Sequence, residues 1–163
     1  MLAPLLRGGL VDHEGRPVAS QLPSWRETTD DAQPMLVGVY FTASWCPPCQ
    51  AFSPTLRAFA QTHAAAFQVV LVSLDTDPDA AAEYIVGKTG WLAVPWADRA
   101  RRQSLTKQLG VSMIPQLTIL NGGTGAVVST WGRSAILKNP QHCLEEWQAG
   151  GSGVSWWQLL RPW

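Results

Sequence analysis

Charge is scarce in this chain. Only 15% of its 163 residues are Asp, Glu, Lys or Arg, against about 25% in ordinary globular proteins, and the twelve basic residues balance the twelve acidic ones. Without a basic excess there is no electrostatic footprint for nucleic acid or for an anionic membrane. Cysteine is scarce too, at three in the whole sequence and an odd number, which excludes the disulfide framework of small secreted domains. No apolar run approaches the roughly 20 residues of a membrane span, and the opening MLAPLLRGGL lacks the apolar core of roughly 7 to 15 residues that a secretory signal needs. These absences lead to the expectation of a soluble intracellular protein, cytoplasmic first, with nuclear or organellar placement left open; a form already cut from its signal would give the same picture. The length suits one domain with a core large enough to need no staples.

What is present reads as strands alternating with helices. Val11 to Ala19 carries DHEGRP between short apolar pieces, which predicts an N-terminal hairpin turning near Gly15. MLVGVYF (35–41) and QVVLVSL (68–74) are apolar throughout, as expected of strands covered on both faces. Between them, Phe52, Leu56, Phe59 and Ala60 recur at helical spacing, with His63 near the helix end. Asp77 and Pro78 read as the cap and first residue of a second helix. A third is expected from Asp98 to Leu109, with Leu105 and Leu109 inward and Gly110 as its stop. LTIL (117–120) and AVVST (126–130) flank NGGTG and predict an antiparallel hairpin. Asn139 and Pro140 are expected to open a final helix that carries Cys143, Leu144 and Trp147 on one face and stops at Gly150. The expected fold class is α/β, a mostly parallel central sheet with an antiparallel edge hairpin and helices on both faces.

Two of the three cysteines stand in FTASWCPPCQ (41–50). Cys46 follows a buried strand and opens a helix, where unpaired N–H groups and the helix dipole favour a negative charge. Its thiol pKa should therefore be low, making Cys46 the nucleophile and Cys49, one turn on and facing inward, the resolving thiol. Pro47 and Pro48 cost the first turn little, but they remove donors and leave mainly the Cys49 N–H to meet the sulfur. A structural zinc site needs four ligands, and beyond this pair only Cys143 with its neighbour His142 remains, so no metal is expected. Cys143 itself is expected to pack as a small buried hydrophobe.

These residues resemble the thioredoxin superfamily, and within it the tryparedoxin and nucleoredoxin group. YFTASWCPPC is similar to that group's active-site segment, WLAVPWADRARRQSL (91–105) to its insertion, and GVSMIPQLTIL (110–120) to the segment holding its cis-proline. GRSAILKNPQHCLEEW (132–147) further resembles nucleoredoxin-like chains. The resemblance covers roughly residues 34 to 147. It implies the thioredoxin fold, a Cys46 nucleophile, a resolving Cys49, an exposed Trp45 beside them, a helix kink at Pro54, and a cis Ile114–Pro115 bond facing the cysteines. The Ile114 backbone would then be free to pair with an extended partner. Residues 1–149 are expected to form the thioredoxin-like domain with its N-terminal hairpin, and 150–163 a Gly/Ser linker and a Trp-rich tail.

Two departures from the pattern stand out. Ordinary thioredoxins carry a buried acid six positions before the first cysteine, and this chain has Tyr40 there. Proton handling would pass through water or another group, with Asp75 and Asp77 as candidates that also read as surface helix caps. The second departure is Gln116 after the proline, where Thr or Lys is commoner. Trp91, Pro95 and Trp96 are expected either to line the partner face or to pack beneath the sheet. Trp156, Trp157 and Trp163 either dock back on the domain or bind another chain.

The function expected is reduction of protein disulfides through the Cys46/Cys49 dithiol, without metal or prosthetic group, by a monomer. The resemblance implies an external donor, either trypanothione with peroxiredoxins as acceptors, or glutathione or a reductase in a nucleoredoxin-like setting. A redox-sensitive protein-binding module with incidental turnover remains the alternative. An extracytoplasmic thiol reductase of the cytochrome-maturation kind shares WCPPC, but the WLAVPW segment and the missing signal speak against it.

Overall fold

The computed structural model describes residues 6, 8–18 and 33–160. Seven strands form one sheet in the order β2-β1-β5-β4-β3-β6-β7: β1 Leu10–Val11, β2 Pro17–Val18, β3 Leu36–Thr42, β4 Phe67–Ser73, β5 Leu92–Ala93, β6 Gln116–Asn121 and β7 Val127–Ser129. The helices, in chain order, are α1 Pro47–Thr62, α2 Pro78–Ile85, α3 Arg99–Gln108, α4 Gly132–Lys138, α5 Cys143–Gln148 and α6 Trp156–Leu159.

β3 is the axis of the sheet, parallel to β4 and antiparallel to β6. Its alternating side chains divide the core. Leu36 and Tyr40 join Phe52, Leu56 and Phe59 of α1, Ile136 of α4 and Trp147 of α5 on one face. Val37, Val39 and Phe41 join Leu105 of α3 and Leu109 at its C-cap on the other. Both faces are covered, which is why the strand is apolar along its whole length. Each large side chain sealed this way is worth about 1.5–3 kcal/mol.

Parallel pairing is confined to the β5-β4-β3 centre, and antiparallel pairs extend to both edges. The sheet is thus less parallel than the strand and helix alternation predicts, because β5 is only two residues long and the N-terminal hairpin joins beyond it. That hairpin turns at Gly15, whose φ is +76°. Ala19 lies outside the described residues.

The C-terminal helices need correction. Asn139 caps the end of a separate helix, α4, and does not open α5, whose N-cap is His142. The polar GRSAILK segment folds as a helix because Ala135 and Ile136 dock on the core. Gly132 passes so close to β6 that a Cβ there would lie 2.7 Å from the Leu117 carbonyl oxygen. The 150–153 stretch, whose composition suggests a linker, is tied down: Trp147 Nε1 and Ser129 Oγ both donate to the Ser152 carbonyl, at 3.0 and 2.7 Å. Val154 is buried beyond it. Trp156 and Trp157 are exposed and stacked on one another, and Trp163 lies outside the described residues.

Candidate functional site

The strand directions bring three loops to one edge. β3 and β4 are parallel, so the turns leaving Thr42 and Ser73 emerge together, and the antiparallel β6 starts at the same edge. The first turn carries Cys46, the second Asp75, and the third Ile114 and Pro115. This is the carboxyl end of the parallel strands, where α/β sheets place their chemistry.

Cys46 is the N-cap of α1, with extended backbone, and Pro47 and Pro48 fill the first turn. The Cys49 N–H donates to Cys46 Sγ at 3.3 Å. No acidic side chain stands in that first turn, so the positive helix end acts on the sulfur unopposed. Cys46 and Cys49 are joined by a disulfide, with Cα atoms 5.2 Å apart. They lie in a small apolar cluster with Ala43, against Leu74 and Ile114. Cys49 is sealed and Cys46 is 4% exposed. Pro47 and Pro48 are exposed, and Trp45 stands out with 62% of its surface in water. The Ile114–Pro115 bond is cis, and the Ile114 carbonyl oxygen lies 4.0 Å from Cys46 Sγ. Cys46, Cys49, Ile114 and Pro115 therefore meet at one place, with Trp45 beside them. Pro54 falls inside α1, facing solvent.

Two supports were not visible in the sequence as such. Tyr40, in place of an acid, donates its hydroxyl to the Cys49 carbonyl at 3.1 Å and lies 3.1 Å from Ser53 Oγ. Ser53 donates to the same carbonyl at 2.9 Å. The Tyr84 hydroxyl then links Ser53 at 3.0 Å and Thr42 at 2.9 Å. Burial raises the Tyr40 pKa to about 12, so near neutrality it remains a hydroxyl and cannot take the Cys49 proton as a carboxylate would. A tyrosine in an otherwise apolar strand run, with a serine one helical turn after Cys49, is the signal that could have pointed to this pairing.

The second support is Asp75. It is 3% exposed, a correction to its reading as a surface cap. Its carboxylate accepts the Ser44 N–H at 3.0 Å, the Ser44 hydroxyl at 2.6 Å and the Ser73 hydroxyl at 2.8 Å. It thereby pins the turn that delivers Trp45 and Cys46. Gln50 reaches back to the Ser44 carbonyl from the other side. Asp77 does cap a helix, accepting the Asp79 N–H at 2.9 Å.

The insertion is built into this support. Trp96 Nε1 donates to the Asp75 carbonyl at 2.9 Å, and Arg102 holds both the Trp96 and Ser73 carbonyls. Trp91 packs edge-on against Tyr40 in the core, so it does not line a partner face. Gln116 lies at the start of β6, where its Nε2 donates to Thr118 Oγ1 at 3.2 Å. Cys143 is a buried free thiol pushed up to about 12 by desolvation. Among the described residues no group of His, Cys, Asp and Glu could hold a metal ion, and no helix is long and apolar enough to cross a membrane.

Residues 34–127 match the family model described as thioredoxin-like. The chain is 40% identical over 113 residues to tryparedoxin of Trypanosoma brucei brucei, covering 68% of this chain and 78% of that one. It is 37% identical over 128 residues to nucleoredoxin of Danio rerio, covering 75% of this chain but 30% of that protein. The chain thus spans less than a third of the length of this nucleoredoxin. Among solved structures, tryparedoxin from Trypanosoma brucei superposes with a TM-score of 0.74 at 35% identity, covering 90% of this chain and 96% of that one. Tryparedoxin II complexed with glutathionylspermidine superposes with a TM-score of 0.74 at 30% identity, covering 86% and 94%.

Proposed function

The chain belongs to the thioredoxin-like family as a thiol–disulfide oxidoreductase of the tryparedoxin and nucleoredoxin type, and from that premise we propose that it reduces disulfides in partner proteins. The observation that carries this reading is the placement of Cys46 at the N-terminus of α1, one turn from Cys49 and 4.0 Å from the Ile114 carbonyl.

In the reduced protein, the Cys46 thiolate attacks one sulfur of the substrate disulfide. A mixed disulfide forms and the other substrate sulfur leaves as a thiolate that takes a proton. Cys49, losing its proton, then attacks Cys46 Sγ. The second substrate sulfur departs, and the Cys46–Cys49 disulfide closes, holding the two electrons' worth of oxidation. The helix end and the Cys49 N–H favour the thiolate of Cys46 in the first step. Ile114 precedes β6 and its carbonyl lies beside the reacting sulfur, so an extended substrate segment can align on it by strand addition. Trp45, Pro47 and Pro48 form the exposed collar around the pair.

An external thiol donor completes the cycle. A glutathione-based dithiol such as trypanothione suits it, since a tryparedoxin has been solved with glutathionylspermidine, and glutathione or a reductase would be the nucleoredoxin-like counterpart. Neither metal nor prosthetic group enters these steps. A reducing compartment such as the cytoplasm suits a dithiol that must be regenerated.

Insulin reduction with a dithiol donor tests the reading on wild type, Cys46→Ser and Cys49→Ser. Turnover should vanish in both variants, with a mixed disulfide trapped only by Cys49→Ser. An inactive wild type with freely reducible cysteines would overturn it.

A further inference from the structure

Although the chain is neutral overall, α3 is not. RARRQSLTKQ carries Arg99, Arg101, Arg102 and Lys107 and no acid, a third of the twelve basic residues of the whole sequence. Two of the four are absorbed by the fold. Arg101 pairs with Asp98 at 3.0 Å and donates to the Gly9 carbonyl, while Arg102 holds the Ser73 and Trp96 carbonyls. Arg99 and Lys107 are exposed, and among the described residues neither makes an ion pair. Together with Gln103 they lie at positions i, i+4 and i+8, one face of the helix.

Gln103 and Lys107 of that face border a groove, and Arg99 lies beyond its lining, toward the helix start. Its lining sets apolar Leu74 and Val111 beside cationic Arg102 and Lys107. Leu74 also packs against the Cys46–Cys49 cluster, and the groove's other wall, Gly110 to Ser112, leads directly into Ile114 and Pro115. The groove thus adjoins the cysteine cluster through Leu74 and runs along the Arg102 to Lys107 part of the basic helix. Met113, 78% exposed, stands on the loop between it and Ile114.

We propose that this groove docks the segment of the protein substrate that flanks its disulfide, and that it selects segments rich in Asp and Glu. The inference rests on the reductase reading above and specifies its substrate class. A chain aligned on the Ile114 backbone continues over Gly110 to Ser112, where acidic side chains meet Lys107 and Arg102 and apolar ones meet Leu74 and Val111. Arg102, fixed by two backbone carbonyls, adds charge that costs no ordering on binding. Charges of this rim type steer encounter and set preference among partners.

The test uses three cystine-bridged peptides identical except for the residues flanking the cysteines, which are acidic, basic or serine. At low salt the wild type should show a kcat/KM about three- to tenfold higher for the acidic than for the basic peptide, with the ratio fading as salt shortens the screening length. In Arg99→Glu/Lys107→Glu the ratio should fall to one or invert. The neutralising pair Arg99→Gln/Lys107→Gln, which should reduce the ratio toward one, serves if the reversal fails to fold. A wild-type ratio near one, or a ratio that survives both pairs of substitutions, would overturn the docking. Fluorescence anisotropy with Cys→Ser versions of the same peptides reads binding without turnover. An acid preference in binding with no reduction of any peptide would strike the reductase reading and leave the docking standing. Reduction of all three peptides at equal rates would do the reverse.

Discussion

The hydroxyl of Tyr40 on the central strand donates to the carbonyl of Cys49 on the first helix at 3.1 Å. The helix that carries the redox pair is thereby clamped to the sheet at Cys49. A carboxylate at this position would add a proton acceptor. A phenol held near 12 by burial adds only a fixed dipole.

Replacing Tyr40 with Phe removes the hydroxyl from the Cys49 carbonyl and from Ser53 Oγ, and leaves Ser53 Oγ on the same carbonyl. Stability should fall by about 1 kcal/mol, read as a lower denaturant midpoint at unchanged slope. The pH–rate profiles of wild type and Tyr40→Phe should have the same shape from roughly pH 6 to 9. A limb that disappears in the variant would show Tyr40 moving protons after all.

Asp75→Asn keeps the size of the side chain but turns an acceptor toward Ser44 and Ser73 into a group that is half donor. Three hydrogen bonds depend on that acceptor. Hydrogen bonds to a charged group are worth about 1.5–3 kcal/mol, so the variant should lose about 2 kcal/mol or more and let the Trp45–Cys46 turn relax. The insulin-reduction rate should drop with it, while Asp77→Asn, whose side chain still caps α2, should leave that rate within about twofold.

Cys143 should be invisible to thiol reagents in the folded protein. Burial holds its pKa near 12, and the thiolate is the reactive form. Ellman titration of the reduced native protein should therefore count two thiols, with the third appearing only in denaturant. Three thiols in native buffer would contradict the packing shown for α5.

Lys88 offers a pH test. Burial, and then the nearby Arg57 charge, press its pKa down from 10.5 to about 8. The folded value lies below the unfolded one, so the unfolded chain binds more protons across that window and stability should rise as pH climbs from about 8 to 10.5. Half-exposure will screen and shrink the effect. Reductive methylation followed site by site should show Lys88 reacting with a midpoint near 8. Lys88→Met should flatten the rise in stability.

Much of this protein was legible in one dimension. Period and caps suffice where a segment's own residues decide its state: Asp77 and Pro78 start α2, Asp98 starts α3, and NGGTG turns the last hairpin, with Gly125 alone of its glycines at positive φ. The placement of the cysteines was legible for the same reason, since a strand end followed by a helix start puts Cys46 at the cap of α1 and Cys49 one turn on. Where two local signals competed, the sequence misled. Asn139–Pro140 looks like a helix start, yet Asn139 ends α4, because docking of Ala135 and Ile136 on the core outweighs the local preference.

What only the tertiary structure decided is which distant residues share the site. Ile114 lies 68 positions from Cys46 and Asp75 lies 31 from Ser44, and no spacing rule spans such gaps. The parallel run of β3 and β4 and the antiparallel return of β6 put their loops at one edge, and that geometry turned a nominal surface aspartate into a buried clamp. The sequence by itself determined a dithiol at a helix end; the order and direction of the strands decided what holds that dithiol in place and what faces it.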